Sequence, residues 1–243
     1  MRALIAAVRF LTRVRVPGPA TRGEDLPAAL GWFPLVGALI GAAIGGAFVG
    51  LERCFPTPVA AVLAVAFGLL LTGAFHEDAV ADSADALGSG ARGERARAIM
   101  KDPRIGSYAA VTLWCLLAFR VAALIALGAT AWLAFALAMA WGRWTAAPLI
   151  RALPALSDGL GKDIASAPGA GALALATAFV GAISVGAWWL GCERAPWAAL
   201  AALAMTALWA GYLRRRLGGQ CGDLLGAGNQ AVEAVALLVL VAR

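Results

Sequence analysis

Between Gly73 and Tyr108 the chain reads GAFHEDAVADSADALGSGARGERARAIMKDPRIGSY, and its chemistry is concentrated there. Glu77, Asp78, Asp82 and Asp85 end a hydrophobic run, and Arg92, Arg95, Arg97, Lys101 and Arg104 follow at once. In a helix, Asp78, Asp82 and Asp85 fall at i, i+4 and i+7, on one narrow face. Ionised carboxylates so placed repel one another unless a cation lies between them. A hard divalent ion such as Mg2+ takes oxygen ligands of this kind, with water and phosphate completing its shell. The expected metal set is therefore Asp78, Asp82 and Asp85, with Glu77 joining through its other face or through water. Lys101 and Arg104 are expected to neutralise phosphate oxygens beside it, one as a point charge and the other as a planar fork. The competing reading is a solvated loop in which Asp78 or Asp82 only caps a helix. Ionisable groups at a membrane edge are costly to keep, which favours the functional reading.

A second polar stretch, GGQCGDLLGAGNQ, opens the last apolar run. Glycines at 218, 219, 222, 226 and 228 surround Gln220, Asp223 and Asn229. Such a loop at a helix start accepts an anion or the edge of a nucleobase, although Asp223 would serve equally well as an N-cap. His76 is the only histidine and adjoins the acidic cluster, where it either orients a carboxylate or packs. The candidate substrate contacts are His76, Asp102, Arg143, Gln220, Asp223 and Asn229. A lone histidine excludes HExxH metal chemistry. Cys54, Cys115, Cys192 and Cys221 are scattered without a CxxC pair, so they read as small apolar residues.

The elements that must hold these residues are apolar. The chain is 62% hydrophobic and 14% charged, with a mean hydropathy of +0.81, whereas soluble domains carry about 25% charged residues. An all-α, polytopic membrane protein is expected, with about seven transmembrane helices. They fall near 31–51, 58–75, 107–127, 129–149, 170–190, 196–213 and 224–242. Residues 2–16 form either a basic amphipathic helix on the membrane surface or the start of a tilted span. Gly37, Gly41 and Gly45 recur every fourth position, which lets a neighbouring helix approach closely. Arg120 sits in mid-span and requires a partner or an aqueous cavity. Arginines and lysines gather on alternate connections, which places the N-terminus in the cytoplasm by the positive-inside rule. Residues 1–243 then form one integral membrane domain, with cytoplasmic active-site segments 76–108, 143–168 and 214–233. The net charge of +6 serves this orientation and an anionic substrate rather than nucleic acid.

Carboxylates for a metal beside cations at a membrane surface point to transfer chemistry at a diphosphate. Beyond that, several segments resemble the cobalamin synthase family (adenosylcobinamide-GDP ribazoletransferase). They are RFLTRVRVP, GWFPLVGALIG, GAFHEDAVADSADAL, IMKDPRIGSYA, GRWTAAPLI and GGQCGDLLGAGNQAVEA, in the family's order. Ala79 and Ala86 stand where the family tends to have glycine, Cys221 replaces a usual threonine, and Gln230 stands where an acid is common. The resemblance implies a Mg2+-dependent, multi-pass enzyme of the bacterial inner membrane, for which homo-oligomers are compatible. A ribose hydroxyl of α-ribazole, or of its 5′-phosphate, attacks the cobinamide-side phosphorus of adenosylcobinamide-GDP. GMP leaves, and adenosylcobalamin or its phosphate is formed. On this reading Glu77, Asp78, Asp82 and Asp85 hold the metal or accept the hydroxyl proton, and Lys101 and Arg104 steady the diphosphate. Gln220, Asp223 and Asn229 contact the guanosine or the ribazole. Three alternatives are weaker. A CDP-alcohol phosphotransferase needs DxxDGxxAR, but Ala86 follows Asp85. A membrane prenyltransferase orders its aspartates differently. A cation-coupled transporter would line its path with Arg120, Glu233 and the acidic cluster.

Overall fold

The computed structural model describes residues 1–156 and 169–242. Asp158, Lys162 and Asp163, within the expected 143–168 segment, lie outside them. The described residues form helices α1 (Arg2–Leu11), α2 (Asp25–Ala29), α3 (Phe33–Leu51), α4 (Thr57–Thr72), α5 (Phe75–Gly88) and α6 (Gly93–Met100). They continue as α7 (Ser107–Leu127), α8 (Ala131–Trp144), α9 (Ala146–Ala152), α10 (Ala170–Trp189), α11 (Ala195–Arg216) and α12 (Gly222–Val241). No strand occurs among them, and a single bridge joins Ala155 to Gln220. The expected all-α class is the observed one. Proline in the first turn of α3, α4 and α11 (Pro34, Pro58, Pro196) starts these helices where its missing N–H costs nothing.

Five of the described helical runs are long and apolar enough to cross a membrane, or six if α4 and α5 are counted as one bent span. That is fewer than the seven expected, because the run Ser107–Ala152 counts once over its 46 residues. At 1.5 Å per residue it would extend about 69 Å, roughly twice a hydrocarbon core. It is interrupted at Gly128, whose φ is 52°, and this break divides it into α7 and α8.

Close packing holds the centre together. Gly37, Gly41 and Gly45 face α8, and a Cβ at any of them would overlap backbone atoms at Met139, Phe135 and Trp132 in turn. The four-residue spacing thus brings two helix backbones into contact, as small-residue stripes do in lipid. Ala79 likewise meets Gly226, where a second Cβ would clash.

Across this centre runs a buried network of charges. Arg120 on α7 donates to Glu77 Oε1 on α5 at 2.6 Å, to Glu233 Oε1 on α12 at 2.8 Å, and to Gln230. Arg143 on α8 donates to Glu233 Oε2 at 2.5 Å. Both arginines and both glutamates are buried, and two positive charges answer two negative ones. Removing one partner from such a set leaves a buried charge uncompensated, at a cost of about 3–5 kcal/mol. Four helices are thereby fixed in register around the start of α5.

The turn into α5 is sharp. Gly73 closes α4 in the left-handed region at φ 70°, as helix-ending glycines do. Ala74 follows at φ 55°, the one non-glycine residue with positive φ among those described. Left-handed backbone at a residue with a Cβ costs about 1–2 kcal/mol. The two residues turn α5 by 92° from α4. This bend sets the carboxylates of α5 along the wall of an open pocket.

Candidate active site at the α5 bend

Two pockets flank α5. The outer one is open, has a volume of ≈ 730 Å³ and is lined by Asp78, Asp82 and Asp85 together with Arg9, Arg13, Thr72 and Arg104. The inner one, ≈ 230 Å³, is mostly apolar and is lined by Phe10, Phe33, Phe75, Met100 and Ile150, with His76, Asn229, Asp78, Asp223, Arg97 and Lys101. Asp78 belongs to both walls. The expected face of three aspartates one helical turn apart is therefore the face that α5 turns to solvent. His76, Glu77, Val80 and Ser83 occupy its buried side.

The four carboxylates nonetheless differ in use. Glu77 is committed to Arg120. Asp85 accepts hydrogen bonds from the backbone N–H of Gly106 at 2.6 Å and of Ala109 at 2.9 Å. It satisfies two N–H groups at the start of α7 that the helix itself leaves free. Gly106 is required for this approach, since a Cβ there would meet the Asp85 carboxylate. Among the described residues no three His, Cys, Asp or Glu side chains stand close enough together to hold a metal ion, so the expected four-carboxylate set does not assemble. Asp78 and Asp82 remain on the pocket wall, with Asp223 facing them from the start of α12. Burial, and then the like charges of Asp78, Asp223 and Asp85, push the Asp82 carboxyl up to about 6.

The cations and the remaining candidates are placed as follows. Lys101 lines the inner pocket and makes no ion pair among the described residues. Arg104 lines the outer pocket but binds Asp102, with Nε to Oδ1 at 2.9 Å and Nη2 to Oδ2 at 2.5 Å. Those hydrogen bonds hold the Asp102 carboxyl down at about 2. Arg143, expected to touch substrate, is buried against Glu233 instead. Gln220 is fully buried, and its backbone pairs with Pro154 and Leu156 rather than opening toward either pocket. Asn229 Nδ2 lies 3.1 Å from His76 Nε2. Asp223 reaches the inner pocket.

Phe10, Arg9 and Arg13 were outside the expected site. Residues 2–16 were expected as an interfacial helix or the start of a tilted span; in α1, which ends at Leu11, Ala6, Ala7 and Leu11 are buried. Arg13 N–H donates to the Leu71 carbonyl at 2.7 Å, and its guanidinium covers Gly73. Arg9 ties back residues 16–19 through the carbonyls of Val16, Gly18 and Pro19. Arg2, Arg9 and Arg13, on one face of the expected 2–16 helix, suggested lipid headgroups. The sequence signal for a tertiary role was the apolar set Ala6, Ala7, Phe10 and Leu11 on the remaining face.

The arrangement suits chemistry on an anion, with carboxylates on one wall of an open pocket, cations on others, and a mostly apolar chamber behind. The chain matches the family described as Cobalamin-5-phosphate synthase over residues 3–241. Adenosylcobinamide-GDP ribazoletransferase of Vibrio parahaemolyticus is 36% identical over 249 residues, covering 100% of this chain and 92% of the relative. The enzyme of the same name from Azorhizobium caulinodans is 40% identical, covering 96% and 92% of the two chains. That from Leptothrix cholodnii is 36% identical, covering 98% and 94%. No solved structure matches. With the family matched over almost its whole length and relatives of this identity spanning both chains, the protein belongs to the cobalamin synthase family of transferases.

Proposed function

We propose that this chain transfers the adenosylcobinamide phosphate group from adenosylcobinamide-GDP to a ribose hydroxyl of α-ribazole or of its 5′-phosphate. A new ribose O–P bond forms at the cobinamide-side phosphorus, the bond to GMP breaks, and the hydroxyl proton goes to a carboxylate of the site. The observation that carries this reading is the position of Asp78, on the wall common to an open pocket lined by charged side chains and a narrower, mostly apolar one. Two substrates entering from the two sides would meet there. The outer pocket is the roomier and takes the diphosphate, which Arg9 and Arg13 offset with positive charge. Arg104 contributes charge to the same rim as a pair with Asp102. Asp223, which lines the inner pocket only and faces Asp78, is the carboxylate placed to take the proton.

The donor set fits Mg2+ in a restricted way. Its free groups are all carboxylate oxygens, the ligands a hard cation selects, and Mg2+ is commonly held by one or two carboxylates plus substrate phosphates and water. Asp78 and Asp82 would hold it; Glu77 and Asp85 are engaged elsewhere. When bound, the ion supplies charge stabilisation for the phosphate oxygens and the departing GMP. The acidic wall alone would repel a diphosphate, so the protein's own carboxylates and its arginines act on the substrate together.

The inner membrane and a cytoplasmic N-terminus complete the reading, supported by the gathering of Arg and Lys on alternate connections. Reporter fusions at residues 53, 90 and 194 are expected to place 90 inside and the other two outside. A cation path through Arg120 and Glu233 gains no support, because these residues neutralise each other in a sealed network. The reaction is tested with purified protein in detergent, supplied with adenosylcobinamide-GDP, α-ribazole and Mg2+. GMP and a cobalamin product are expected, and a parent protein that releases no GMP would overturn the assignment.

A further inference from the structure

We propose that the inner pocket seats the heteroaromatic base of the ribazole partner, with His76 Nδ1–H donating to that base's free ring nitrogen. The inference rests on the transfer reaction proposed above and names which pocket serves which substrate.

Size makes the first selection. Sites for whole drug-sized ligands usually measure about 300–1,000 Å³, and the inner pocket has ≈ 230 Å³. A fused ring with part of a sugar fits that space, whereas a corrin or a dinucleotide does not. Shape and surface make the second. Phe33, Phe10, Phe75 and His76 form a continuous aromatic run, with successive ring centroids 5.4, 5.3 and 5.2 Å apart, and all four line the pocket. Aromatic walls of this kind receive a flat ring by stacking or by edge contact.

Polarity makes the third. His76 is only 4% exposed, and its Nε2 faces the amide nitrogen of Asn229 at 3.1 Å. With the Asn229 amide oriented so that its NH2 faces Nε2, Nε2 accepts and the neutral imidazole carries its proton on Nδ1. That Nδ1 is buried and has no partner among the described residues. A buried donor left unmatched costs about 1–3 kcal/mol, and a ligand acceptor removes the cost. The ring nitrogen of a benzimidazole riboside that does not bear the sugar is such an acceptor. At the mouth, Asp78 and Asp223 meet the ribose hydroxyls, and Lys101 stands where a 5′-phosphate would emerge.

The test compares α-ribazole with the indole counterpart in which the free ring nitrogen is a C–H group. Full-length protein in detergent with Mg2+ is used. Equilibrium dialysis gives binding, and GMP release at saturating adenosylcobinamide-GDP gives KM. The parent is expected to favour α-ribazole by about 10- to 100-fold. His76→Leu removes that preference and raises KM for α-ribazole while leaving KM for adenosylcobinamide-GDP unchanged. His76→Asn, whose amide nitrogen stands near the former Nδ1, retains the preference. Met100→Trp, which narrows the pocket without touching His76, weakens both nucleosides equally. A parent that binds the two nucleosides alike, an intact preference in His76→Leu, or a KM change confined to adenosylcobinamide-GDP would each overturn the assignment. Binding is read apart from turnover, so a preference that survives without GMP release supports the pocket and counts against the transfer reaction alone.

Discussion

Asp82 has a cost in the metal-free protein. Its carboxyl is raised to about 6 by burial and by the charges of Asp78, Asp223 and Asp85, above the value near 3.9 of an unfolded chain. Between these values the folded state binds more protons than the unfolded one, so stability falls as pH rises through that window and stays low above it. Asp82→Asn removes the penalty. Without divalent ions, the variant is expected to melt a few degrees above the parent at pH 7.5 and with it at pH 3.5, as read by thermal unfolding in detergent. A variant less stable than the parent at pH 7.5 would show that Asp82 makes a stabilising contact instead. Arg120 has the opposite character, since it holds Glu77 and Glu233 together. Arg120→Met is expected to destabilise by about 3–5 kcal/mol, checked by the same melting measurement. At this scale the sequence was informative about type and less so about use. The spacing of Asp78, Asp82 and Asp85 announced a shared face, and a mid-span arginine called for a partner or an aqueous cavity, of which the structure shows the partner. Nothing local to Glu77 or Asp85 tells that one pairs with a residue 43 positions away and the other caps α7.

Elements carry the next level of organisation. The Gly37, Gly41, Gly45 stripe was legible as a packing seam because four-residue spacing puts small residues on one face. Its partner, α8, became evident only in three dimensions. Gly41 is the tightest of the three positions, with its Cβ direction blocked by the Phe135 and Ala136 backbone. Gly41→Leu is expected to push α3 from α8, displace Arg143 and cost both stability and GMP release. Gly46→Leu on the same helix has open space around its Cβ direction and should change neither by more than about 0.5 kcal/mol, the usual range for a surface substitution. Equal losses in the two variants would remove the seam from the account. The bend at Gly73 and Ala74 was beyond sequence reasoning in its angle. Glycine marked the end of α4, but the left-handed alanine that follows is held only by surrounding packing. The same holds for α1, where an arginine-bearing face resembled a lipid-binding helix while the apolar face buried itself over the pocket.

Taken whole, the molecule places its acidic wall and its arginines at one pocket and a histidine-based chamber behind it. Fold class and membrane character follow from composition and hydropathy, and the stretch that lines both pockets was marked by its charge placement along the chain. The division into two pockets depends on α1, α5, α6, α9 and α12 meeting, and no single segment encodes it. On the proposed reading, two free carboxylates, Asp78 and Asp82, would hold Mg2+ only when a diphosphate supplies further oxygens. Calorimetric titration of Mg2+ into the purified protein, with and without adenosylcobinamide-GDP and with α-ribazole absent, tests that claim most directly. The parent is expected to bind Mg2+ at least about tenfold more tightly when the diphosphate is present, and Asp78→Asn/Asp82→Asn is expected to lose that gain while remaining folded. Equal Mg2+ affinity with and without the diphosphate, or an undiminished gain in the double variant, would contradict the account.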